Sequence, residues 1–476
     1  MAAPTWRRKS EVDARDDGWS PVPAQIVSNE EFVPMPPTRE QQRVAHRLRE
    51  MSHAHAKALG ITRRQFLGSS CGMAAAFLAM NEVFGPVFDV SPVEAWQAAA
   101  TAERPVQGPF VFDVQTHHVA APRSTPSILR LRSIGRRLNP DLPETPEMKD
   151  LYLENYIKEV FLDSDTSVAV ISGIPSETEA RNILPPDKMA ETRAVVNRLA
   201  ASRRVVTHGL IMPTRGERDL DEMDRQVRDL KAEAWKGYTG QLIDGRSWLI
   251  DDEKVAYPML QRSRRLGVKN ICLHIGLPFP GTAHDPWHPR HLERAARDFP
   301  DLNFIAYHAA LKSPDEAVRV DLSQAPARVD WVTDLCEVKR RNPGMTNLYA
   351  ELGTTFGATV ITKPALCGHI LGMLIESLGA DHVLWGTDSI WWGSPRWQIE
   401  AFRRFTMPES LVKTFGYAPL TPEVKARILG LNAAAIFGVD PNAALKHVPP
   451  DFIARMKAAY LDEGARPSLT QYGWVR

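Results

Sequence analysis

A (β/α)8 barrel of the TIM-like α/β class is the fold this sequence predicts, on three observations. From residue 108 onward short apolar runs alternate with longer helical patterns, which implies βαβ units and a parallel sheet. The runs number eight, at 111–116, 168–172, 205–212, 233–238, 269–274, 303–308, 347–351 and 382–388. Five of them finish in or beside a titratable residue, at His117, Lys236, His274, His308 and Asp388. An open doubly wound sheet produces the same alternation. Only in a closed barrel do all strand ends open on one face, so that residues far apart in sequence converge.

The stretches between the runs carry the helical period. LYLENYIKEVFL, DEKVAYPMLQRSRRLG and HPRHLERAARDF repeat apolar residues at intervals of three and four, as amphipathic outer helices require, and Gly267 supplies a stop. Pro289 is expected to open the last of these helices. The barrel is placed at 108–445, with a short C-terminal extension at 446–476.

Upstream, residues 1–60 are rich in Pro, Arg, Glu and Gln, with few apolar residues at core spacing, and are expected to be disordered. At 61–100 the text changes to TRRQFLGSSCGMAAAFLAMN. Arg63 and Arg64, then Phe66 and Leu67, then a mild apolar stretch ended by Asn81 and Glu82, resemble a twin-arginine (Tat) export signal. The stretch is shorter than the roughly 20 residues of a membrane-spanning helix. The expectation is export by the Tat machinery to the periplasm or beyond, with cleavage before about residue 103. An internal amphipathic helix that happens to carry Arg-Arg is the competing reading.

The 58 Lys and Arg balance 57 Asp and Glu, a net charge of +1, which leaves no field to gather nucleic acid or an anionic membrane surface. A small molecule is the expected partner. Cys71, Cys272, Cys336 and Cys367 form no CxxC pair, so a metal must rely on His and carboxylates. No phosphate-binding loop, dinucleotide fingerprint or HExxH is present. Oligomeric state is left open, a homo-oligomer included.

The strand ends read FVFDVQTHHVAAP, NICLHIG, NFIAYHAA and HVLWGTDSIWWG. With FPDLNFIAYHA and LGLNAAAIFG, their order over 108–439 resembles the amidohydrolase-related family that includes the aminocarboxymuconate-semialdehyde decarboxylase-like enzymes. That resemblance maps its D-x-H-x-H motif onto Asp113, Gln115 and His117, its strand-five His onto His274, its strand-six His onto His308 and its strand-eight Asp onto Asp388. One position departs. Gln115 stands where the family usually has its first metal-binding His, and a neutral amide oxygen is a weaker ligand. The pattern therefore implies one divalent metal held by His117, His274 and Asp388, with Gln115 bound directly or through water.

Two imidazoles and a carboxylate suit Zn²⁺ and also accept Mn²⁺ or Fe²⁺. Asp388 can take a proton from activated water, and His308 can stabilise developing charge or pass the proton on. His118 faces the other side of the strand from His117 and is read as supporting. Lys236 meets a substrate anion or pairs with Glu351. Arg130 and Arg132, in a long loop after the first strand, and Trp391 and Trp392, after the eighth, are candidate substrate contacts. His284, His288 and His291 are read as loop and capping residues. The expected function is a metal-dependent hydrolase using activated water on a small organic substrate; the alternatives are a metal-dependent decarboxylase of an aromatic or unsaturated carboxylic acid and a barrel that binds without catalysis.

Overall fold

The computed structural model describes residues 7–8, 20–26, 35–102, 108–122, 151–445, 451–465, 467 and 474–475. Eight parallel strands follow one another around a single sheet: β1 Val111–Thr116, β2 Thr166–Ile171, β3 Val205–Leu210, β4 Ala234–Tyr238, β5 Asn270–His274, β6 Asn303–Tyr307, β7 Leu348–Glu351 and β8 Val383–Leu384. The residues after β8 close the ring against β1. Val114 N–H donates to Trp385 O at 3.0 Å, Asp388 N–H donates to Gln115 O at 3.0 Å, and Thr116 pairs in parallel with Ser389. The predicted (β/α)8 barrel is present. Its eighth regular strand is shorter than the expected 382–388, ending at Leu384, while Trp385, Asp388 and Ser389 carry the pairing with β1 onward.

Strand alternation sets both layers of the core. Phe112, Val114, Val168, Val170, Val206, Ala234, Cys272, Ile305, Tyr307 and Leu384 fill the barrel interior, floored by Ala433, Ala434 and Phe437 of the closing helix. Their neighbours, such as Val111, Ala169, Val205, Trp235, Ile271, Phe304 and Val383, face the outer helices. Side chains two apart share a face, so Lys236 and Tyr238 follow Ala234 inward and His274 follows Cys272. Helix Ala256–Leu266 ends at Gly267 in the left-handed conformation, as its sequence predicts, whereas the following helix begins at His291 and not at Pro289.

The amino-terminal segment departs from expectation. Residues Arg39–Leu59 form a helix, α1, opened by a Thr38/Gln41 capping box and closed by Gly60. Helices α2 (Arg63–Gly68) and α3 (Ser70–Phe84) follow, capped by Thr62 and Ser69. The composition of 1–60 as a whole hid the local pattern: Gln41, Val44, Leu48, Ser52, His55 and Ala56 recur at helical spacing and pack on α3. The helices are joined to the barrel. Phe88 pairs with Phe405, Thr406 N–H donates to Val87 O, and the Arg404 guanidinium meets Glu94 at 2.9 Å with both side chains buried.

At the other end, helix Phe452–Asp462 of the C-terminal extension is docked through Asp451 to Arg204 (2.6 Å) and Lys457 to Asp165 (2.8 Å). All four cysteines are buried free thiols. Among the described residues no helix is long and apolar enough to cross a membrane.

Candidate active site at the strand ends

Gln115, His117, His274, His308 and Asp388 meet at the C-terminal end of the barrel, each 0% or 1% exposed. They form two contacting pairs. His117 Nε2 lies 3.0 Å from Asp388 Oδ1, and His274 Nδ1 lies 3.2 Å from His308 Nε2. The Gln115 amide stands between them, its Nε2 3.1 Å from Asp388 Oδ1 and 3.5 Å from both His117 Nε2 and His308 Nε2. Among the described residues, no three His, Cys, Asp or Glu side chains form a ready-made metal cluster.

Second partners decide what these atoms can do. His117 Nδ1 faces the Ser172 carbonyl at 2.8 Å and must donate to it, which leaves the Nε2 lone pair turned on the Asp388 carboxylate. His274 Nε2 faces the Leu277 carbonyl at 3.3 Å, which leaves its Nδ1 lone pair toward His308. His117 Nε2 and Asp388 Oδ1 are thus two acceptors in contact and call for a proton or a cation between them, whereas His308 Nε2–H can donate to His274 Nδ1. The amide of Gln115 has the complementary problem: its Oε1 is buried without a hydrogen-bond partner. That oxygen and His308 Nδ1 each lie 2.8 Å from the point where a Gly353 Cβ would stand, and Glu351 Oε2 lies 2.9 Å from it. Turning the amide over would exchange its two ends and present the oxygen to Asp388, His117 and His308. The donor set therefore fits a divalent cation.

Burial sets the charges. It lowers His308 to about 3 and His274 well below its ordinary value, so both are neutral at pH 7. Burial pushes Asp388 up, but its contacts with His117 and the Thr354 hydroxyl outweigh it and hold the carboxyl below the usual range. Asp388 Oδ2 accepts from Thr354 Oγ1 at 2.7 Å, and Thr354 in turn accepts from Trp392 Nε1 at 3.2 Å. Asp113 accepts from the backbone of Gln115 and Thr387 at 3.1 Å each, tying β1 to the segment after β8.

Other expected contacts fall elsewhere. Trp392, 1% exposed, supports Asp388 through Thr354, and Trp391, 6% exposed, stands 6.0 Å from the His117 ring. Lys236 is buried with its ammonium 3.6 Å over the Tyr307 ring, and its charge opposes the rise to about 8 that burial imposes on Glu351. His118 bonds Thr192 at 2.8 Å, away from the site, and His291 bonds Asp251 and Asp285 at the rim. Arg130 and Arg132 lie outside the described residues.

Thr354 and Thr355 escaped the sequence reading. The available signal was Gly353-Thr-Thr directly after the seventh run, a glycine followed by hydroxyls at a strand end. Gly386 is a second signal: a Cβ there would stand 1.8 Å from Glu351 Oε1. Gly386→Ala is expected to cost about 1–3 kcal/mol of stability, as forced overpacking does, read by chemical denaturation.

The amidohydrolase family model matches residues 173–439, more than half of the chain. The chain belongs to the amidohydrolase family. Solved structures similar to this amidohydrolase include 5-carboxyvanillate decarboxylase from Sphingomonas paucimobilis, 14% identical with TM-score 0.44, covering 70% of this chain and 99% of that one. A probable 2-pyrone-4,6-dicarboxylic acid hydrolase from Acinetobacter baumannii with citric acid bound is 8% identical, TM-score 0.43, covering 69% and 99%. A dihydroxybenzoic acid decarboxylase from Polaromonas, with bound manganese and an inhibitor, is 15% identical, TM-score 0.39, covering 69% and 97%. No curated protein matches this amidohydrolase.

Proposed function

We propose that this site hydrolyses a small organic substrate, with Asp388 as the base that takes a proton from water and His308 as the group that stabilises charge or moves a proton on the substrate side. The observation that carries this reading is the state of Asp388. It is a buried carboxylate held ionised by its contacts with His117 at 3.0 Å and the Thr354 hydroxyl at 2.7 Å, with the neutral imidazoles of His274 and His308 in the same site. A base must be in reach and unprotonated at working pH, and Asp388 meets the second condition through its partners.

His117, His274 and Asp388 would hold the divalent ion, with Gln115 contributing its oxygen once the amide turns over. Nitrogen and oxygen donors of this kind suit Zn²⁺, with Mn²⁺ and Fe²⁺ next. Such an ion, when bound, acidifies water and polarises a substrate oxygen. Thr354 and Trp392 fix the Asp388 carboxylate so that its Oδ1 stays turned to His117 and Gln115. Metal analysis of the purified protein, coupled to a substrate panel that reads both hydrolysis and CO₂ release, tests the proposal. His274→Ala is expected to abolish tight metal binding and Gln115→His to strengthen it, both measured by competition with a chromophoric chelator. Unchanged metal content in His274→Ala would reject the site.

A second reading is decarboxylation of an aromatic or unsaturated carboxylic acid, favoured by the dryness of the site, where Gln115, His274, His308 and Asp388 are all 0% exposed. In that reaction CO₂ departs and a proton is delivered to carbon, a step that gains from excluded water. Solvent deuterium incorporated at the product carbon, together with CO₂ release, would decide for it.

For the amino-terminal segment we propose export by the Tat route, supported by Arg63, Arg64, Phe66 and Leu67 ahead of an uncharged stretch. Changing both arginines to Lys is expected to retain the protein in the cytoplasm, read by fractionation. Burial of Phe66, Leu67 and most of α3 favours the competing reading, a helix kept as part of the fold. Unchanged distribution of the Lys variant would establish that one.

A further inference from the structure

We propose that Glu351 and Thr355 are positioning residues that hold His308 in its working place by gripping its backbone. The inference rests on the reading above that His308 acts on the substrate. His308, Ala309 and Ala310 all have positive φ, at 60°, 48° and 58°, so the chain leaves β6 through three consecutive left-handed residues, none of them glycine. L-residues do not hold that conformation without help from their surroundings.

The help comes from β7 and the helix after it. Glu351, the last residue of β7, accepts the His308 N–H at 3.0 Å through Oε2. Thr355, in helix Gly353–Thr362, donates its hydroxyl to the His308 carbonyl. Both polar backbone atoms of His308 are thus claimed by buried side chains, and its carbonyl also receives Leu311 N–H at 2.9 Å. Neither grip comes from the strand that carries His308. The other oxygen of Glu351 is seated against Gly386, where a side chain would collide with it. Once the backbone is held there, the imidazole can reach His274 Nδ1 at 3.2 Å and Gln115 at 3.5 Å. A shift of about 1 Å in a reacting group costs on the order of 100-fold in rate.

The test compares variants that keep the grip with variants that remove it. Glu351→Gln retains an acceptor and Glu351→Leu does not; Thr355→Ser retains the hydroxyl and Thr355→Val does not. Hydrogen exchange of the peptide spanning 303–311, followed by mass spectrometry of the folded protein, needs no substrate. Faster exchange is expected in Glu351→Leu and Thr355→Val, and protection in Glu351→Gln and Thr355→Ser. On a substrate from the panel, the removing variants should lose about 10- to 100-fold in kcat with KM and metal content unchanged, and the retaining variants should recover most of it. Unchanged exchange and kcat in Glu351→Leu would overturn the proposal. A loss in Glu351→Gln equal to that in Glu351→Leu, with exchange unaltered, would also overturn it, because the carboxylate would then act by its charge. If Glu351→Leu fails to fold, the Thr355 pair decides alone. Finding CO₂ release instead of hydrolysis would refute the hydrolytic reading and leave these outcomes in place, since His308 serves both reactions.

Discussion

Asp388→Asn is expected to lower kcat by about 10²- to 10⁴-fold, the range a positioned general base supplies. An amide cannot take the proton. It also disturbs a bond that sets the side chain, because Oδ2 accepts from Thr354 and an NH₂ in its place would face that donor. The loss should therefore exceed that of His308→Ala if water is the nucleophile. In a decarboxylase the order changes, because delivery of a proton to carbon would make His308 as important as Asp388. Steady-state kinetics of both variants, with metal content measured in each, separates these cases. An Asp388→Asn enzyme with normal metal and more than a tenth of the wild-type kcat would remove Asp388 from the role of base.

The barrel was legible because its signal is local and repeated. Each interior strand position lies two residues from the next, so Phe112 and Val114, or Ala234 and Lys236, announce the same face wherever they occur. The site was legible in the same way, since Gln115, His117, His274, His308 and Asp388 stand at strand ends and the closure of the ring brings them together. The supporting contacts were not. Thr354 reaches Asp388 across 34 residues and Glu351 reaches the His308 backbone across 43, distances at which no periodicity operates. The bond from Trp392 to Thr354 is of the same kind, spanning 38 residues. Helix α1 was hidden by averaging, because its buried stripe lies within an otherwise charged and Pro-rich stretch.

A protein shortened to begin at residue 103, where a cleaved export signal would leave it, is expected to be markedly less stable than the full chain. The segment that would be lost carries Phe66 and Phe77, both 0% exposed, and Phe88, which packs 6.0 Å from Phe405. Fully burying one such ring contributes about 1.5–3 kcal/mol, and cutting the segment away returns Phe405 and its neighbours to water. The charge at the junction adds to this. Glu94 and Arg404 are 2% and 5% exposed and 2.9 Å apart, and removing one partner of a buried pair costs about 3–5 kcal/mol. Glu400, 3.5 Å from the same guanidinium, offsets part of that cost, so the lower end of the range applies to Glu94→Gln alone. Guanidinium denaturation of the full chain, the Glu94→Gln variant and the shortened chain should give midpoints that fall in that order. Equal midpoints for the full and shortened chains would show that residues 35–102 rest on the barrel without supporting it, and would restore their reading as a removable leader.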